Sequence, residues 1–141
     1  MDQSAVVYFV NSKIIVASVV RTTAGVGLEV DPVLSSPQAD ELIPIVLRAL
    51  EKSAIVVEHP AQNEWNGFFQ PFLNAASVRS YKAFMADAKQ VSIELIGDQL
   101  KIVPERNRGA TEGFAPMPDD AILVPVVNAS EAASALVRLL G

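Results

Sequence analysis

A chain of 141 residues, 50% apolar and 19% charged, has the length and hydrophobicity for one core and is too apolar for wholesale disorder. The absence of cysteine excludes a disulfide framework, a thiolate zinc site and a cysteine nucleophile, and a single histidine, His59, excludes a multi-histidine metal site. Eleven basic against sixteen acidic residues give a net charge of −5, which works against direct binding to nucleic acid and suits a basic partner instead.

Two nearly continuous apolar runs open the chain, Ala5 to Val10 and Ile14 to Val20, split by Asn11-Ser12-Lys13. Their β-branched content and short polar break predict a β-hairpin, and the lack of alternation predicts a sheet covered on both faces. Gly25 to Val30 reads as a weaker third strand, and Asp31 to Gln38 as a Pro- and Ser-rich connection. Asp40 to Leu50 predicts a helix with Leu42, Ile45 or Val46, Ala49 and Leu50 on one face, and Pro44 must lie near its first turn or kink it. Ile55 to Val57 fits a short strand.

The middle differs in composition. Trp65, Phe68, Phe69 and Phe72 hold four of the nine aromatic residues within eight positions, interrupted by Gly67 and Pro71. This segment reads as a loop with short helical pieces that closes the core, or as an exposed binding patch with a polar rim. A helix follows over 78–89, capped by Ser77, with Val78, Tyr81, Phe84, Met85 and Ala88 on one face.

The last third returns to the opening pattern. Val91 to Ile96, a Gly97-Asp98 turn and Leu100 to Val103 predict a second hairpin. Ala121 to Val127 predicts a strand, and Asn128 caps a final helix with Glu131 at the capping-box position. An ungapped offset of 86 places Val7 on Ile93, Ile14 on Leu100, Val16 on Ile102 and Gly27 on Gly113; four more residues place Ile45 to Leu50 on Ala135 to Leu140. The two ends therefore look like a duplicated β-β-β-α unit. The predicted fold is a single domain over 1–141 of α/β type, with α+β layers: antiparallel hairpins form a sheet covered by helices.

Constellations with chemical potential are sparse. His59 lies beside Glu58 and near Glu64, but there is no Gly-x-Ser-x-Gly elbow, so a surface or capping role is preferred to a base. Asp119-Asp120 reads as a solvated turn rather than a cation site, which needs more converging ligands. Arg106 and Arg108 resemble a phosphate grip, but Glu105 and Glu112 bracket them, and no complete phosphate-binding glycine motif occurs. No segment has the run of about 18 apolar residues that a membrane span needs, and the opening Met1-Asp2-Gln3-Ser4 lacks the basic start of a signal peptide.

Residues 62–141 carry a recognisable pattern. It runs from Trp65, Phe68, Phe72 and Leu73 through Ser77, Tyr81 and Phe84 to Val91-Ser92-Ile93 and Leu100-Lys101-Ile102-Val103-Pro104. Gly113 to Pro118, the strand from Ala121 and the tail helix Ser130 to Leu140 complete it. This pattern resembles the immunity proteins of bacterial contact-dependent growth inhibition systems. The tail helix departs from the family pattern, with Glu131-Ala132-Ala133 in place of Glu-Leu-Gly. The resemblance implies a small cytoplasmic α/β protein without enzymatic activity, catalytic residue, metal or cofactor. Its partner would be the cognate toxin domain delivered by a neighbouring cell, frequently a nuclease, which it neutralises.

The acidic composition agrees with a basic partner. The excess sits at the two ends, with 5 acidic to 3 basic groups over 1–50 and 7 to 4 over 91–141. Candidate toxin-binding residues, expected to be exposed, are Glu94, Asp98, Glu105, Glu112, Asp119 and Asp120, with Asp87 and Glu64 beside them. An exposed strand edge is a further candidate surface. The alternatives are a non-enzymatic adaptor using residues 65–72, an enzyme using His59 with Glu58 or Glu64, and a small-molecule binder.

Overall fold

The two opening runs form the expected hairpin. β1 (Gln3–Val10) and β2 (Lys13–Thr22) pair antiparallel across Asn11 and Ser12, whose φ angles of 50° and 60° are both left-handed. Two such residues in succession make the type I′ turn, whose twist matches that of the strands it joins. The computed structural model describes residues 2–141, apart from the side chains of residues 65 and 66, so Trp65 lies outside the described side chains.

β3 (Gly27–Ser35) is longer than the sequence suggests and absorbs much of the Pro- and Ser-rich connection. It crosses a bulge at Asp31, where φ is 55° and the register against β2 shifts between Val16 and Ser18. Pro32 is tolerated there because β3 is an edge strand, where a missing N–H breaks no ladder. α1 (Ala39–Lys52) carries Asp40 and Glu41 in its first turn and Lys52 in its last, as the helix dipole favours. Pro44 lies beyond the first turn on the exposed side, so water can satisfy the carbonyl that its missing N–H leaves free. β4 (Val56–Val57) runs parallel to the end of β2.

The expected helix over 78–89 is shorter and begins only at Tyr81, and a short helical piece expected in the aromatic segment precedes it. After a 3₁₀ turn at Gln62–Gly67 come α2 (Gln70–Ala76) and α3 (Tyr81–Asp87). Ser77 adopts φ 58° and closes α2 instead of starting the next helix. The cap of α3 is Ser80, whose hydroxyl oxygen accepts the Ala83 N–H at 3.0 Å. Lys89 already belongs to β5 (Lys89–Ile96), which pairs with β6 (Gln99–Asn107) through the predicted Gly97-Asp98 turn. β7 (Phe114–Pro116), a 3₁₀ turn at Pro118–Asp120, β8 (Ile122–Pro125) and α4 (Ala129–Leu140) complete the chain. Asn128 and Glu131 cap α4 reciprocally, side chain to backbone and side chain to side chain, as expected.

The strands form one eight-stranded sheet, antiparallel except for β4, with the order β3-β2-β1-β5-β6-β7; β8 lies on β6 beside β7. The suspected repeat is present in the pairing. Val7 faces Val16 in the first hairpin, and the residues 86 further on, Ile93 and Ile102, face each other in the second. β1 and β5 pair antiparallel at the centre, so a pseudo-two-fold axis passes near the Val6–Ser92 pair. β7 and β8 together correspond to β3: the bulge at Asp31 in one half becomes the Pro118–Asp120 turn in the other.

Strand alternation sends one set of side chains to each face. Ala5, Val7, Ile14 and Val16 join their counterparts Val91, Ile93, Leu100 and Ile102 beneath α1 and α4. Val6, Tyr8, Val10, Ile15 and Ala17 point the other way, under Phe72, Phe84 and Met85 of α2 and α3. Buried polar groups on the first face are bonded: Ser18 donates to the Ala49 carbonyl at 2.8 Å, and Ser53 donates to Leu50 while accepting from the Ser4 N–H.

Candidate functional site: an acidic cavity on the open half of the sheet

The pseudo-symmetry isolates what is different about the second half. On the α1/α4 face, Ala5, Val7, Ile14 and Val16 have apolar counterparts in the second unit. On the opposite face, Val6, Tyr8, Ile15 and Val19 of the first hairpin correspond to Ser92, Glu94, Lys101 and Glu105 of the second. The cause is the segment between the units. α2 and α3 pack over the first hairpin and not its counterpart, so the first must be apolar and the second is free to carry polar groups. Leu123 of β8, 58% exposed, and Ile96 at the end of β5 share this open region with the Glu94–Lys101 cross-strand pair.

A cavity of about 530 Å³ lies where the covered and open halves meet. Val6, Tyr8, Gln90 and Ser92 come from the central strands, Glu29 from β3 and Glu105 from β6, with Phe69, Tyr81 and Phe114 as aromatic walls. The Tyr8 hydroxyl donates to Glu29, and the Ser92 hydroxyl donates to Glu105. Gln90, itself buried, also bonds Glu29. Burial raises the Glu29 carboxyl above the ordinary value of 4.5; the Tyr8 bond opposes this, and the negative charge of Glu105 adds to it. Tyr8 is raised well above 10.0 by its own burial and then by the charge of Glu29. On its far side Glu29 also borders a second cavity with Asp31, Glu64, Phe68 and Phe72.

The raised carboxyl fixes the sign of a pH effect. Below the ordinary value, folded and unfolded chains both hold the proton and the group contributes nothing. As pH rises through the unfolded value towards the raised folded one, ionisation opposes folding and stability falls. Glu29→Gln keeps an acceptor for Tyr8 and is expected to raise the melting temperature near neutral pH. The difference from the parent chain should vanish at about pH 3; melts by circular dichroism across that range check it.

The predicted contact residues are placed unevenly. Glu105 lines the first cavity and Glu64 the second, one on either side of Glu29. Glu94 lies on the same sheet face, two residues beyond Ser92. Glu94 and Glu105 are half-buried rather than exposed, because neighbouring strands flank them. Glu112 is exposed on the β6–β7 hairpin, where it pairs with Arg108 at 3.3 Å. Asp98 occupies the opposite turn, Asp119 and Asp120 the β7–β8 turn, and Asp87 the end of α3, all exposed and apart from the cavity.

Sequence reasoning missed Glu29 and Tyr8. Glu29 is a single acid in a weak strand, and only the β2–β3 register brings it opposite Val19 and beside Tyr8. The aromatic segment closes the core at Phe72, fully buried, and Phe69 stacks on it with centroids 5.0 Å apart. The His59 ring meets the Thr22 hydroxyl at 2.9 Å at the end of β2, and Glu64 accepts the Ala61 N–H at the start of the 3₁₀ turn. No group of three or more metal-ligating side chains converges among the described residues, and no helix there is long and apolar enough to cross a membrane.

Two β-β-β-α units sharing one sheet, with α1 and α4 on one face and α2 and α3 over half of the other, define the class of α+β fold. No family model and no curated protein matches the chain. Among solved structures it is similar to a chain of the CdiA-CT/CdiI toxin and immunity complex from Yersinia pseudotuberculosis. The TM-score is 0.74 at 18% identity, over 99% of this chain and 95% of that one. A protein of unknown function from Neisseria meningitidis is similar to the same degree, with a TM-score of 0.73 and 16% identity over 99% and 93%. The resemblance drawn from residues 62–141 is thus matched by a likeness in fold along nearly the whole chain.

Proposed function

We propose that the chain is a cytoplasmic immunity protein of a contact-dependent growth inhibition system. It acts as one domain that binds the C-terminal toxin domain and occludes its active or substrate-binding face. The observation that carries this reading is the likeness in fold to a chain of a toxin and immunity complex. The acidic, half-open sheet face supports it, since Glu29, Glu94 and Glu105 stand where a basic partner would be steered and held. A nuclease, which must itself attract phosphate, is the partner this charge suits best. The protein works by stoichiometric binding, without catalysis or a cofactor.

Mixing the purified chain with the toxin domain encoded directly upstream is expected to abolish nucleic-acid cleavage at equimolar ratio. Association should slow as salt rises, because steering between opposite charges is screened. Undiminished cleavage at molar excess of the chain is the contrary result.

A further inference from the structure

We propose that the cavity between β1, β3, β5 and β6 is a socket for an arginine side chain of the toxin. The location and chemistry come from this chain alone; assigning the arginine to a toxin rests on the immunity reading.

Two carboxylates, Glu29 and Glu105, line one cavity, and neither meets a cation there. Their hydrogen bonds come from Tyr8, Gln90 and Ser92, all neutral donors, and no Lys or Arg is among the described lining residues. A carboxylate can accept about four hydrogen bonds, so each keeps acceptor capacity towards the cavity. Charge held in a partly buried site without a counter-charge is unfavourable, and an entering cation removes that penalty while an anion or neutral group does not.

The walls choose among cations. Phe69, Tyr81 and Phe114 present aromatic surface, and Val6, Val19 and Met85 present apolar surface. A guanidinium is planar, weakly hydrated, stacks on rings and bridges carboxylates, whereas an ammonium is compact and strongly hydrated. About 530 Å³ accommodates the guanidinium and its three-carbon stem with room for water. The cavity borders β5 and β6 through Gln90, Ser92 and Glu105, so a partner lying across these strands can place a side chain in it.

The test has two arms. In the first, amide NMR follows titration with ethylguanidinium and with its neutral isostere ethylurea. Ethylguanidinium is expected to give saturable shifts at Tyr8, Gln90, Ser92 and Glu105, and ethylurea none. Glu29→Gln and Glu105→Gln, which preserve size and hydrogen bonding, should each weaken the response, and the double variant should abolish it. Equal shifts with ethylurea, or guanidinium shifts confined to Asp119 and Asp120, overturn the site.

In the second arm, the upstream toxin domain is titrated with the parent chain and the double variant. A tenfold or greater loss of affinity is expected. If both inhibit equally, the socket takes no toxin side chain and the proposal falls while the immunity reading stands. If the parent chain binds ethylguanidinium but not the toxin, the immunity reading falls and the assignment to a toxin arginine falls with it.

Discussion

Phe84→Ala is expected to destabilise the protein by about 3–5 kcal/mol, the range for removing a buried aromatic ring from a close-packed core. Phe84 is fully buried and is the anchor of α3, a helix of only two turns. It meets Tyr8 edge-on at a centroid distance of 5.2 Å and Phe69 at 4.9 Å. These contacts join the helix, the central strand and the aromatic segment, so the remaining side chains cannot close on the void without moving the wall of the acidic cavity. Urea unfolding should therefore show a lower midpoint at unchanged slope. A cost below about 1 kcal/mol would mean that α3 is held by something other than this ring.

Leu136→Ala is expected to cost about 2–5 kcal/mol by the same physics on the opposite face. Leu136 is fully buried between α4 and the sheet. Its counterpart in the first unit is Val46 of α1, also fully buried, and the two helices meet each other over the β1–β5 centre. Leu136 and Phe84 belong to separate clusters with the sheet between them. Their combined effect should equal the sum of the single effects within about 0.5 kcal/mol. A larger deviation would show that the sheet transmits strain from one face to the other.

Much of the architecture was legible because each element carried its own local signal. The Asn11-Ser12 and Gly97-Asp98 turns, the apolar faces of α1 and α4 and the Asn128–Glu131 cap are properties of short segments, and they stand where the residues indicate. The offset of 86 was visible as a weak echo in apolar residues, and the shared hairpin register gives it a structural basis. The failures have local causes too. An apolar period runs through 78–88, but Ser77 in the left-handed region closes α2 and the Ser80 hydroxyl on Ala83 delays the start of α3 to Tyr81. Pro32 hid the second half of β3, because a proline argues against a strand unless the strand is known to lie at an edge.

The candidate site was less legible than the fold. Exposed acids in turns were easy to find, yet most of them lie at scattered edges. The cavity depends on pairs distant in sequence, Tyr8 with Glu29 and Ser92 with Glu105, and on strand order. Glu105 and Glu64 were recognised as acids, but nothing local marked their convergence around Glu29. The informative signal was the comparison of the two units: a repeat whose one face stays apolar in both copies, and whose other face turns polar in only one, marks where a covering layer ends.

The central pairing of β1 with β5 also sets an order of events during synthesis. The strands of each hairpin are neighbours in the chain, but β1 finds its second partner only when residues 89–96 have emerged, more than 80 residues after β1 itself. Until then the nascent chain holds a bare strand edge along Val6, Val7, Tyr8 and Phe9, an apolar template open to other chains. Closing that long loop is the costly step in assembly, since distant pairs are rewarded only after the intervening chain has been ordered. A translation product that stops before residue 89 therefore leaves the ribosome with its most adhesive edge uncovered.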